Sequence, residues 1–179
     1  MTNLFIFLGR SASGKTTITK DLMNIHGFKN VQNFTTRKKR ECEVKSEEYK
    51  FISAEEFNRK KFSATFVVND EWKYGVGYDI VDKEGENYIF SAISLDYAYS
   101  VFVSAKAKGI NVKLFILDIS DTIRIQRMLE RGDSEESISR RLDIEKSEGK
   151  YDSQKLLECE AIHLSVDNIS NFPVLEYLN

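Results

Sequence analysis

Leu4-Phe-Ile-Phe-Leu8, followed at once by Gly9-Arg-Ser-Ala-Ser-Gly14-Lys15-Thr16, is the stretch from which the rest of the chain can be read. The first five residues are apolar throughout and rich in strand formers, the pattern of a strand covered on both faces. The next eight fit G-x-x-x-x-G-K-[ST], the phosphate-binding P-loop. Its glycines let the backbone turn so that successive N–H groups point inward at phosphate oxygens. A helix predicted over residues 15–25, with Gly27 as its stop signal, turns its positive end to the same anion. Lys15 then reaches the β- and γ-phosphates of ATP, and the Thr16 hydroxyl can ligate Mg²⁺. Gly9, Arg10, Ser11, Ala12, Ser13, Gly14, Lys15 and Thr16 are thus the candidate ATP-phosphate ligands, with Thr16 the candidate metal ligand. Average residue frequencies produce such a match by chance in roughly one chain of this length in a hundred. A strand before it and a helix after it set the chance reading aside.

Outward from the loop, apolar runs alternate with helical patterns. Buried strands are predicted over residues 88–93, 112–117 and 161–166, and helices over residues 95–108 and 122–130. That alternation predicts an α/β fold of βαβ units on a parallel sheet. Two stretches break the rhythm. Residues 33–86 are polar and turn-rich, with short strand signals at Tyr49-Lys-Phe-Ile52 and Phe66-Val-Val68, and Ser53-Ala-Glu-Glu56 is a capping box opening a short helix. Residues 131–149 are almost wholly charged or polar. Asp133, with Glu136 three residues on, predicts a helix cap there, and a helix polar all round is solvated surface or a mobile element.

The 179 residues are 41% hydrophobic and 30% charged, which suits one domain with its own core and excludes disorder. A single proline excludes Pro-rich segments. Cys42 and Cys159 fit no metal or redox spacing and are expected to be reduced thiols. No apolar run approaches the roughly 18 residues of a membrane span, and no signal peptide pattern is visible, so a cytoplasmic protein without a membrane partner is expected. Twenty-six basic residues face 28 acidic ones, net −2. The balance is uneven: residues 1–40 hold eight Lys or Arg against Asp21 alone, +7, which leaves −9 on the remainder. A local anion trap of this kind suits small phosphorylated ligands better than a long nucleic acid.

Part of that excess is Asn33-Phe-Thr-Thr-Arg37-Lys-Lys-Arg40, followed by Tyr49-Lys-Phe-Ile-Ser53 and by Tyr74-Gly75. Alone, Arg37 to Arg40 could be a solvated charge run or a weak nucleic-acid patch. Beside a P-loop, guanidinium forks fit a clamp on a second phosphate group. Taken together, Gly-x-Ser-x-Ser-Gly-Lys-Thr, Thr-Thr-Arg-x-x-Arg, Tyr-x-Phe-Ile-Ser-x-Glu-Glu-Phe and Tyr-Gly resemble the guanylate kinase family. Arg127, Arg131-Gly132 and Ser134-Glu-Glu-Ser-Ile-Ser-Arg-Arg141-Leu142 are similar to that family's lid. The resemblance runs collinearly from residue 4 to about residue 145.

It implies a three-layer P-loop NTPase fold with a parallel core sheet in one domain. The core would take residues 1–32, 87–130 and 150–179, an inserted acceptor-binding subdomain residues 33–86, and a helical lid residues 131–149. It also implies transfer of the ATP γ-phosphoryl group to a nucleoside monophosphate, GMP or dGMP in the first instance, with Mg²⁺. By motif position, Arg37, Arg40, Tyr49 and Tyr74 hold the acceptor phosphate. Arg131 and Arg141, with Arg127 in support, swing over the transferred group, so the catalytic set is Lys15, Arg37, Arg40, Arg127, Arg131 and Arg141. The residues agree with that chemistry. A phosphate acceptor is already ionised and needs no general base, and His26 and His163 sit in no catalytic context.

The chain departs from the family where guanine would be read. The family's glutamate falls at Ala64 or Thr65, Val76 follows Tyr74-Gly75, and an acidic core strand is here Phe90-Ser-Ala-Ile93. The serine before Thr-Thr-Arg is Phe34, and Asp70 and Glu71 are the nearby acids that could substitute. An acceptor without guanine, such as another nucleotide or ribose 1,5-bisphosphate, therefore stays open, as in a related phosphoribosyl kinase family. A non-catalytic guanylate kinase-like binding module is a further alternative. A GTPase switch has only Asp82-Lys-Glu-Gly85 in its favour, without an N-K-x-D motif.

Overall fold

A computed structural model describes residues 2–39, 49–68, 70–77, 85–147, 151, 153–166 and 176. In chain order the elements are β1 (Asn3–Leu8), α1 (Lys15–His26), β2 (Lys29–Asn30), β3 (Asn33–Thr35), β4 (Tyr49–Phe51), α2 (Ala54–Arg59), β5 (Phe62–Val68) and β6 (Trp72–Gly77). β7 (Asn87–Ser91), α3 (Leu95–Lys106), β8 (Asn111–Asp118), α4 (Asp121–Glu130), α5 (Glu135–Ser147), α6 (Ser153–Glu158) and β9 (Ile162–Ser165) follow. Arg40, Cys42 and Asp82 lie outside the described residues.

β1 is buried along its whole length, as its unbroken apolar run predicts, and sits at the centre of a five-stranded sheet ordered β2-β7-β1-β8-β9. Every pairing in this sheet is parallel. Alternate side chains of β1 serve different layers. Leu4, Ile6 and Leu8 pack with Tyr97, Ala98, Val101 and Phe102 of α3, while Phe5 and Phe7 pack with Ile18 and Leu22 of α1. This is the three-layer α/β architecture expected. Asparagines fix the register at the N-terminal edge: Asn3 Nδ2 donates to Asn87 Oδ1 at 2.8 Å, and Asn111 Nδ2 donates to Asn3 Oδ1 at 2.7 Å. A slip of one residue in any of the three strands would break this ladder and turn the apolar faces over.

A second sheet, ordered β4-β3-β6-β5, has β3 parallel to β4 and antiparallel to β6, which pairs antiparallel with β5. α2 begins at the predicted capping box, with Ser53 Oγ accepting from Glu56 N at 3.0 Å. α3 packs against both sheets. Tyr97 at its first turn stacks on Phe66 of β5 at 5.9 Å, meets Phe90 of β7 edge-on at 5.2 Å, and donates its hydroxyl to Asn33 of β3 at 2.9 Å. One apolar cluster therefore runs from Leu4 and Ile6 through Tyr97 to Ala64, Tyr74 and Val76.

The polar stretch after α4 differs from its prediction in two ways. The helix α5 is capped by Ser134, whose Oγ accepts from Ser137 N at 3.2 Å, while the Asp133 carboxylate is taken by Arg131 and Arg141. Two full ionic partners hold a carboxylate more strongly than one backbone N–H, so the cap passes to the neighbouring serine. α5 is also not polar all round in its environment, since Ile138 is buried and Glu145 is largely covered. No helix among the described residues is long and apolar enough to cross a membrane.

Candidate active site

The phosphate loop joins β1 to α1 at the C-terminal edge of the parallel sheet, where α/β folds place ligands. Its backbone is strained in the way an anion cradle requires. Ala12 takes φ 61° and Gly14 takes φ 97°, both left-handed, and Ser13 N closes a turn onto Arg10 O at 3.2 Å. A Cβ at Gly9 would lie 2.6 Å from Ser13 Oγ, so the chain must be bare there. Ser13 Oγ is buried with no hydrogen-bond partner among the described residues. The first turn of α1 carries no acidic side chain, which leaves its positive end to a ligand. Lys15 Nζ folds back onto the carbonyls of Gly9 and Arg10.

Thr16 is exposed at the start of α1. Among the described residues no cluster of three or more His, Cys, Asp or Glu side chains could hold a metal. The exposed Thr16 hydroxyl could serve as a single protein ligand to Mg²⁺, which binds mostly through nucleotide phosphates and water.

β3 and the strands beside it gather the second group. Arg37 is buried, donates from Nη1 to Lys38 O at 2.8 Å, and lies 6.0 Å from the Tyr49 ring and 5.4 Å from the Phe51 ring. Tyr49 and Tyr74 meet edge-on at 6.0 Å, because β3 pairs with both of their strands. Tyr97 lies beneath them. Burial, and then the neighbouring Tyr49 and Tyr74, push its hydroxyl well above the ordinary tyrosine range, so it remains a donor. Of the positions where the family's base readers would fall, Ala64 and Val76 face each other across β5 and β6, both buried, while Thr65 beside Ala64 is exposed. Ser91, at the end of β7, has a buried hydroxyl with no partner among the described residues. Asp70 and Glu71 are exposed at the β5–β6 turn.

The lid arginines are distributed unequally. Arg127 reaches the loop, with Nη1 donating to Ala12 O at 3.3 Å and Nη2 to Val166 O at 3.2 Å. Arg131 and Arg141 instead share the Asp133 carboxylate, Arg141 at 3.3 Å. Two further residues meet the loop that the sequence reading did not single out. Arg124 of α4, 1% exposed, donates to Glu145 Oε2 at 2.5 Å and to Asp121 Oδ1 at 2.8 Å, and Glu145 Oε1 accepts from Ser11 N at 3.0 Å. Burial works against the Arg124 charge, but the Glu145 and Asp121 carboxylates outweigh it and hold the guanidinium above its ordinary value. The spacing of Arg124, Arg127 and Arg131 along one helical face was the available signal.

The family model described as Guanylate kinase matches residues 1–160. A guanylate kinase of Bartonella henselae is 32% identical over 155 residues, covering 83% of this chain and 68% of that protein. One from Helicobacter pylori is 34% identical over 158 residues, covering 78% and 70%. In fold, the chain is similar over its whole length to 86% of the crystal structure of guanylate kinase from Anaplasma phagocytophilum, with a TM-score of 0.52 and 17% identity.

Proposed function

The chain belongs to the guanylate kinase family of ATP-dependent nucleoside monophosphate kinases, and from that premise we propose that it phosphorylates GMP or dGMP. The observation that supports this most is the pairing, around one core, of the Lys15 loop with a separate sheet that gathers Arg37, Tyr49 and Tyr74. One group suits the triphosphate donor and the other an acceptor that already carries phosphate.

Phosphoryl transfer through a loose transition state needs positioning and charge neutralisation more than covalent help. The loop N–H groups and Lys15 hold the ATP phosphates. The Thr16 hydroxyl would hold Mg²⁺ brought in with ATP, and the ion would supply neutralisation of phosphate charge. Arg37 and Arg40, with Tyr49 and Tyr74, fix the acceptor phosphate in line. Arg127 lies at the loop, and Arg131 and Arg141 leave Asp133 to cover the group in transit as the lid excludes water. Acceptor and donor are small molecules, in a cytoplasmic setting.

A second reading has a specific observation behind it. Ala64 and Val76 offer a base nothing to hydrogen-bond, and a site that rejects analogues by 10⁴ or more depends on such groups. The acceptor would then be another nucleotide or a sugar bisphosphate. A coupled ADP-release assay across GMP, dGMP, AMP, UMP, CMP and ribose 1,5-bisphosphate separates the readings. Preference for GMP or dGMP supports the first, a non-guanine preference installs the second, and no turnover of any acceptor refutes both.

A further inference from the structure

Arg10, Asp121, Arg124, Glu145 and Ser11 form a chain of polar contacts that begins and ends on the phosphate loop. Arg10 Nη1 lies 4.0 Å from Asp121 Oδ1, Asp121 and Glu145 share Arg124, and Glu145 returns to the Ser11 N–H. Two things about this chain are at odds with a purely structural role. A buried ion pair is seldom kept for stability, because apolar residues of similar volume do as well or better. And Glu145 sets a carboxylate on a loop whose other features all favour an incoming anion.

We propose that Glu145, steadied by Arg124, is an internal anion that latches the lid helix α5 to the phosphate loop until nucleotide phosphate displaces it. The proposal rests on the reading that the loop binds ATP. Ile138, Arg141 and Glu145 are spaced three and four apart, so they share the inner face of α5. With Glu145 seated, Arg131 and Arg141 are both engaged by Asp133. Displacement exchanges one anion for another beside Arg124, so its buried guanidinium is never left without a negative partner. The same exchange frees α5 to shift and present Arg141. Arg124 and Glu145 are therefore positioning residues for ATP entry.

Calorimetric binding of Mg-ATP to Glu145→Gln tests this directly, since the amide keeps the shape and removes the charge. ATP binding tightens by at least about fivefold, the low end of usual coupling factors. The KM for ATP falls by more than kcat changes, and the acceptor KM stays as it was. A contact that only stabilised the fold would lower the melting temperature without tightening ATP, so equal or weaker ATP binding overturns the proposal. Hydrogen exchange without any nucleotide gives an independent reading. Glu145→Ala should raise exchange across α5 while β1 and α1 hold, and unchanged protection of α5 refutes the latch. Failure of wild type to bind ATP would instead refute the phosphotransfer reading, with hydrogen exchange still deciding the lid contact.

Discussion

Where the phosphate loop is built mainly from backbone, the acceptor sheet has side chains to offer: Arg37, Tyr49 and Tyr74 over a floor of Phe66, Phe90 and Tyr97. Backbone N–H groups recognise phosphate on any nucleotide, and the loop needs only its glycines and Lys15 to do so. Side chains can be exchanged one at a time. In the proposed function, Arg37, Tyr49 and Tyr74 of the second sheet take the acceptor phosphate, and the paired Ala64 and Val76 bring no polar side chain to its base. On the proposed function, phosphate handling and base handling are separable within one domain, and a motif match informs on the first more than on the second.

The harshest way to break this comparison is Lys15→Ala. Transfer should fall by more than about a hundredfold, the scale of one lost transition-state donor. Acceptor binding, measured without ATP, should be nearly unaffected. Near-normal turnover would remove the loop from the mechanism. Arg37→Ala is the mirror experiment. The acceptor KM should rise by roughly ten- to a hundredfold, as expected for a charge-assisted contact of about 1.5–3 kcal/mol, with ATP affinity intact. Weakened ATP binding would show that the two groups of cations are not separate.

Tyr97→Phe sharpens the comparison rather than breaking it, because Tyr97 links α3 to both sheets. Loss of its hydroxyl leaves the buried Asn33 Oδ1 without this donor, at a cost of about 1–3 kcal/mol in denaturant unfolding. Unchanged stability would mean that packing alone joins the sheets. The smallest effect lies outside both regions. Burial, and then Glu158, push the Cys159 thiol from an ordinary 9.0 up to about 11. A raised acid favours the protonated folded state, so this stabilisation is complete below pH 9 and is lost as pH rises from 9 to 11. Cys159→Ala should flatten that part of the stability profile, and an unaltered slope would assign it to another group.

Several features are legible in the sequence alone. The apolar run of β1, the Ser53 capping box and the Gly27 stop signal are contained in windows of a few residues, and each is found where the pattern places it. Asp133 carries the same kind of local signal and serves another purpose, because Arg131 and Arg141 compete for its carboxylate. Nothing in the residues around Arg124 marks it as buried. Its burial follows from Glu145, 21 residues away, and from the loop that the two of them enclose.

The loop follows from its own residues, since Gly14 takes a left-handed turn, Gly9 leaves room for Ser13, and the helix start at Lys15 supplies the positive end. The seating of a lid carboxylate on that loop does not. Ser11 and Glu145 are 134 positions apart, and they meet because β8 and α4 carry the chain back across the edge of the sheet. Local backbone preferences act over a few residues and can be read from a few letters. A contact between distant residues depends on every intervening element packing correctly, so the charge at the mouth of this site is a property of the folded chain.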